Sequence, residues 1–348
     1  MGGGFAYVRG HGVQEATIDA ALSAAGEFFA LPRAEKARVA TNANNRGWND
    51  MGHAHMDGQP YADEKEFYQW GLHLTADDPE VVAGVPLRGA NVWPQRPAAM
   101  QPAFEAFFAE IARVGNAALS ALASSFGANE DFFGQRYAKP LQRSQAVYYP
   151  ERAPGQAVEH FGVAPHTDYG AITFVAQQAG VGGLQVEHRS SGEWIDAPPK
   201  AGTLVANVGD LLERWSAGKL RSTKHRALNP ADATRLSLVT FYDPSFDAVV
   251  DPRDLLGAAF PAAEASEDIC TPITAGEHIL GRIRRSMAAM RFDDDLLYTS
   301  CFEAALPTWR VPVRHRCATV ARFSHHPLEP ALIACGVRPP PRSQIFEL

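Results

Sequence analysis

The spacing of apolar positions changes character near residue 140. Before it, helical periods dominate. Gln14 to Leu31 carries Ile18, Ala21, Leu22, Ala25, Phe28 and Phe29 at intervals of one or three, which predicts an amphipathic helix ended by Pro32. Ala99 to Phe126 predicts a second, longer helix, closed by Gly127. Phe5 to Arg9 alternates and reads as a strand, and Glu64 to Leu74 contains an apolar-aromatic stretch that reads as another. Asn42 to Gly58 is polar and rich in Gly and Asn, and reads as loop. After residue 140 come short β-type runs separated by Gly-rich or Pro-rich turns: Gln145–Tyr149, Ile172–Gln177, Leu184–Glu187, Thr203–Val208 and Ser237–Tyr242. Such spacing predicts a sandwich or barrel rather than βαβ units. Thr274 to Met287 reads as a helix with Thr274 as N-cap and Glu277 completing a capping box. Beyond Met290 no period is sustained, and a loosely structured tail is expected.

Composition narrows the class. The chain has 348 residues, 46% hydrophobic and 20% charged, enough to bury a large core. Its net charge of −7 makes a nucleic-acid partner a poor expectation. No apolar run approaches the ~20 residues that span a bilayer, so no membrane partner is expected. The opening residues lack the layout of a secretory signal. The four Cys, at 270, 301, 317 and 335, form no Cys-x-x-Cys pair, and a reducing, cytoplasmic location is expected. The spacing of Cys301, His315, Cys317, His325, His326 and Cys335 fits no compact zinc pattern.

The 12 histidines carry the first chemical signal. His166 and Asp168 stand two apart in an extended segment, on one side of the chain, and His225 follows 57 residues later. Two His and one carboxylate are the facial ligand set of non-haem Fe(II) oxygenases, with positions left for cosubstrate and O2. His55-Met56-Asp57, beside His53, repeats the spacing, but in a Gly/Asn-rich stretch that reads as solvated turn. Arg235 and Ser237, ten and twelve residues after His225, also share one face of a strand. A buried Arg grips a carboxylate through two N–H groups, and a nearby hydroxyl adds a third bond. Tyr149, before Pro150, is a further hydroxyl candidate. Together these suggest a small dicarboxylate that chelates a metal at one end and meets Arg235 at the other. Asn207 and Asp210 read as makers of structural turn hydrogen bonds.

The stretch His166-Thr-Asp-Tyr-Gly170, Gly182-Gly-Leu-Gln-Val186, Asn207-Val-Gly-Asp210, Ser222-Thr-Lys-His-Arg226, Arg235-Leu-Ser237 and Phe241-Tyr-Asp-Pro244 resembles the catalytic half of the isopenicillin N synthase-like family of Fe(II)/2-oxoglutarate-dependent dioxygenases. Gly4 to Val13, Phe28 to Lys36, Asn44 to Trp48 and Asp63 to Glu66 resemble its amino-terminal segments, and the resemblance runs from about residue 4 to 287. It implies a mainly β fold with flanking helices around a double-stranded β-helix (jelly-roll) core. On that basis residues 1–140 form an amino-terminal region packed on the core, 141–290 the core, and 291–348 an extension of unknown structure. The resemblance also implies an enzyme that couples oxidative decarboxylation of 2-oxoglutarate to hydroxylation, desaturation or cyclisation of a small organic substrate. Its cofactors would be Fe(II), 2-oxoglutarate and O2, with ascorbate as a candidate reductant. His166, Asp168 and His225 would bind the metal, and Arg235, Ser237 and Tyr149 the 2-oxoglutarate. Arg46 and Trp48 fall on the family's substrate-side loop. Two rival readings stand beside it: an Fe(II) oxidase of the same family that does not consume 2-oxoglutarate, and a non-catalytic binding descendant.

Overall fold

A computed structural model describes residues 4–54, 61–153, 155, 161–261 and 266–289. The expectations for His55-Met56-Asp57 and for the tail after residue 290 lie outside these residues. The strands run in chain order as β1 (Phe5–Arg9), β2 (Gly47–Asn49), β3 (Glu66–Gly71), β4 (Arg143–Tyr149), β5 (Val163–His166), β6 (Ile172–Gln177), β7 (Leu184–Glu187), β8 (Trp194–Asp196), β9 (Thr203–Val208), β10 (His225–Ala227) and β11 (Arg235–Tyr242). They form a seven-stranded sheet ordered β1-β9-β6-β11-β4-β3-β2 and a four-stranded sheet ordered β5-β10-β7-β8. The ladders between these strands are antiparallel.

Side-chain alternation divides the large sheet into two chemical faces. One face packs on helices. Leu238 and Tyr242 of β11, Ala146 of β4, and Tyr68 and Trp70 of β3 join one core with Phe28, Phe104 and Phe107. Phe104 lies against the Trp70 ring at 4.2 Å. Phe28, Phe104 and Phe107 are fully buried, and each such side chain stabilises the fold by about 1.5–3 kcal/mol. The helix Met100–Ser125 supplies Met100, Phe104, Phe107, Ile111, Val114 and Leu119 from a single stripe. By length and composition alone this helix could cross a membrane; here its apolar stripe is covered by the sheet and by the helix Glu15–Phe29.

The other face meets the small sheet, as in a jelly roll. Phe5, Tyr7, Val175 and Val205 pack on Leu184 of β7. Phe67, Val147 and Tyr149 pack on Val163 of β5 and Ala227 of β10. Between these two apolar patches lie the polar residues considered below.

Local signals explain most element ends. The capping box at the carboxy-terminal helix (Ala275–Ala289) forms: Thr274 Oγ1 accepts from the Glu277 N–H at 3.2 Å, and Glu277 Oε2 accepts from the Thr274 N–H at 3.2 Å. The expected loop over Asn42–Gly58 is interrupted by β2, a three-residue edge strand too short to show a period.

Candidate metal and cosubstrate site

His166 is the last residue of β5, Asp168 lies in the turn that carries the chain to β6, and His225 opens β10, directly opposite His166. The candidate ligand atoms of the three residues lie within 4.8 Å of one another. His166 Nε2 is 3.5 Å and His225 Nε2 3.6 Å from Asp168 Oδ1. The other ring nitrogens face carbonyls: His166 Nδ1 is 2.8 Å from the Ala164 oxygen and His225 Nδ1 3.1 Å from that of Thr223. A carbonyl can only accept, so each Nδ1 carries the proton and each Nε2 turns a lone pair inward. The Phe5 ring meets His225 edge-on at 5.0 Å and fixes its plane.

Asp168 is held from the far side. Its Oδ2 accepts from Thr173 Oγ1 and from Asn207 Nδ2, both at 2.6 Å. Burial alone would raise its pKa, but the two imidazoles and the Thr173 hydroxyl outweigh burial and hold the carboxyl well below the usual range. Burial and the neighbouring His166 push His225 down to about 4, against the pull of Asp168. At neutral pH the cluster therefore offers a neutral His225 imidazole and an ionised carboxylate, the protonation states a divalent metal requires.

Along β11, Arg235 and Ser237 point to the same interior, each 1% exposed. Arg235 Nη2 donates to Gln177 Oε1 at 3.1 Å, and the guanidinium lies 4.7 Å from the centre of the Tyr149 ring, directly across the ladder. Among the described residues, Arg235 Nε and Nη1 and Ser237 Oγ are buried without hydrogen-bond partners. Three unpartnered buried donors around a full positive charge suit a carboxylate. The residues present therefore fit a divalent metal at the His–Asp–His cluster and the distal carboxylate of 2-oxoglutarate at Arg235.

The two expected substrate-side residues separate. Trp48 stands opposite Tyr68, on the helix-packed face, and its Nε1 donates to Glu66 Oε2 at 2.7 Å. The register thus turns it away from the site, which corrects the sequence expectation. Arg46 lies on the inner side of the sheet: a Cβ on Gly71 would stand 2.5 Å from Arg46 Nη2. The sequence reading does not place Thr173, Asn207 or Gln177 in these positions. Asn207 reads as a turn residue, yet its partner Asp168 is 39 residues away. Period-two alternation along β6 puts Thr173 and Gln177 on one face and is the available signal.

Comparison with known proteins agrees with this geometry. Residues 130–244 match the 2OG-Fe(II) oxygenase superfamily, and residues 2–96 match the amino-terminal domain described as non-haem dioxygenase in morphine synthesis. A homoarginine-6-hydroxylase of Arabidopsis thaliana is 30% identical over 291 residues, covering 82% of this chain and 86% of the relative. A 2OG-Fe(II) oxygenase family protein of Caulobacter crescentus superposes with a TM-score of 0.70 at 29% identity, covering 81% of this chain and 89% of its own. A full-length Neurospora crassa protein, solved in complex with alpha-KG (2-oxoglutarate) and 5-formyluracil, gives 0.64 at 26% identity, covering 82% and 86%. With its jelly-roll fold and its amino-terminal and core regions both matched, the chain belongs to the 2OG-Fe(II) oxygenase superfamily.

Proposed function

We propose that His166 Nε2, Asp168 Oδ1 and His225 Nε2 hold Fe(II), that Arg235 and Ser237 hold the 5-carboxylate of 2-oxoglutarate, and that the enzyme hydroxylates a C–H bond of a small organic molecule. With O2, bound Fe(II) and 2-oxoglutarate supply the oxidant as 2-oxoglutarate is split to succinate and CO2. The chain's own groups position and insulate. The Ala164 and Thr223 carbonyls fix both imidazoles in the metal-binding tautomer. Thr173 and Asn207 occupy one oxygen of Asp168 and leave the other for the metal. Gln177 and the Tyr149 ring orient Arg235, and the burial of Arg235 keeps water from competing for its N–H groups.

The observation that carries this reading is the unpartnered donor set of Arg235 and Ser237 on the same inner face as the residues that hold Asp168. Among the relatives, one is named for homoarginine and a solved one holds 5-formyluracil, both small molecules; a small substrate is inferred here too. The test is calorimetry of 2-oxoglutarate with the anaerobic Fe(II)-loaded chain, followed by aerobic assay for succinate. Tight binding and succinate release are expected. Fe(II) binding without 2-oxoglutarate binding would instead support a family oxidase that uses another carboxylate. Failure to bind Fe(II) stoichiometrically would support a non-catalytic descendant.

A further inference from the structure

A second buried polar cluster occupies the opposite end of the inner face. In the β4–β11 ladder Arg235 stands opposite Tyr149, and Phe241 opposite Arg143. Six residues along a strand span roughly 20 Å, so Arg143 and Arg235 sit at opposite ends of the site. Arg143 is 9% exposed. Its Nη2 reaches Asp243 Oδ2 at 3.3 Å, and Asp243 Oδ1 accepts from the Ala171 N–H at 2.8 Å. A single carboxylate therefore separates this guanidinium from the turn that carries Asp168.

A second guanidinium shares the place. Gly71 pairs with Arg143 across the ladder, and the room left by its missing side chain is filled by Arg46, which is 1% exposed. Arg46 donates to the backbone oxygens of Asn44, Asn45 and Leu87. These bonds tie two loops together, but none neutralises its charge. Among the described residues no carboxylate pairs with Arg46, and the adjoining Arg88 is matched by Glu80 at 2.7 Å. Asp243 is paired with Arg143, and Arg46 stands behind that pair with no carboxylate of its own among the described residues. The Nε of each arginine is buried without a hydrogen-bond partner. Burial first, and then the charges of Arg143 and Arg88, push the Arg46 guanidinium down to about 9. A buried guanidinium without a carboxylate partner, as Arg46 is among the described residues, is costly unless a ligand supplies the missing sign. Gln69, opposite Gln145 and in contact with Asn49 Nδ2 at 3.3 Å, adds amide groups to the same wall.

We propose that Arg143, backed by Arg46, is the substrate's anchor: the oxidised compound is a small carboxylic acid held by its acid group at the Arg143 end, while 2-oxoglutarate occupies the Arg235 end. This rests on the function proposed above and specifies its substrate class. It also assigns the two arginines different tasks. Arg143 faces the ligand, and Arg46, already tied to three carbonyls, adds charge from behind.

The test uses the full chain loaded with redox-inert Zn(II) and saturated with 2-oxoglutarate. Small carboxylic acids and their matched primary amides are screened by ligand-observed NMR. Acids are expected to bind at least tenfold more tightly than their amides, and Arg143→Gln to weaken acid binding by at least tenfold, with Arg143→Lys weakened less. Amides that bind as well as acids, a panel in which no acid binds, or an Arg143→Gln chain within twofold of the parent would each overturn the proposal. The acid-against-amide comparison needs no variant, so it decides even if Arg143→Gln fails to fold. Calorimetry of 2-oxoglutarate on the same Zn(II)-loaded chain reads the parent function separately: its loss with acid discrimination intact overturns the cosubstrate assignment and leaves the arginine anchor standing.

Discussion

Asn207 donates its side-chain amide to Asp168 Oδ2 at 2.6 Å, from the strand that pairs with β6 on the side away from β11. Thr173 donates to the same oxygen. Two donors on one oxygen leave the other, Oδ1, facing both imidazoles. Removing either should loosen the metal without removing a ligand. Asn207→Leu and Thr173→Val are expected to weaken Fe(II) affinity by about 10- to 100-fold, the usual range for groups that orient a metal ligand. Anaerobic Fe(II) titration measures this, and affinities within twofold of the parent would refute the positioning role.

Arg235 and Ser237 should each weaken cosubstrate binding when truncated. Truncating one partner of a buried charged pair costs about 2–5 kcal/mol, so Arg235→Gln should weaken 2-oxoglutarate binding by roughly 30-fold or more. Ser237→Ala removes one hydrogen bond to a charged group, about 1.5–3 kcal/mol, and should weaken it by roughly 10- to 100-fold. Calorimetry on the anaerobic Fe(II) form gives both, and equal affinity in all three chains would contradict the assignment.

The metal-free chain should lose stability on mild acidification. His225 takes a proton at about 4 when folded, against 6.5 in an unfolded chain. The unfolded state therefore binds the proton more readily, and stability falls as pH drops from about 6.5 towards 4. The full gap corresponds to on the order of 3 kcal/mol. Asp168, held low, acts in the same direction at more acid pH. Thermal unfolding of the chelator-treated protein should show a falling Tm from pH 7 to 5, shallower in His225→Gln. A Tm that rises over that range would contradict the assignment.

Phe104 ties the long helix to the sheet through Trp70 and is fully buried. Phe104→Ala is expected to cost about 3–5 kcal/mol. Denaturant unfolding of the metal-free chain would show it as a lower midpoint with unchanged slope.

Four strands fall where the sequence puts them: the alternating Phe5–Arg9 and the short β-type runs Ile172–Gln177, Leu184–Glu187 and Thr203–Val208 have the same bounds in the structure. The long helices differ by a residue or two at each end. What the pattern cannot reveal depends on partners distant in the chain. Trp48 reads as a loop aromatic, and only its pairing with Tyr68 shows which face it takes. β10, three residues long, is too short to show a period, yet it carries His225. The His166–Asp168 spacing is visible in the sequence, but not the reason for it: the strand ends at His166, and Asp168 is aimed by Thr173 and Asn207 rather than by strand alternation. Arg143 gives no signal in the sequence because charge balance is a property of neighbours in space. Its relation to Arg46 depends on a glycine two strands from β11.

The unmatched guanidinium of Arg235 has a consequence for the life of the protein apart from its turnover. On the proposed assignment, 2-oxoglutarate supplies the one counter-ion that this part of the interior lacks, and so acts as a removable piece of the core. A ligand that binds only the folded chain raises its stability by about 1.4 kcal/mol for each tenfold of concentration above its Kd. The supply of this central-metabolic acid would then set how long each copy of the enzyme survives, as well as how fast it works.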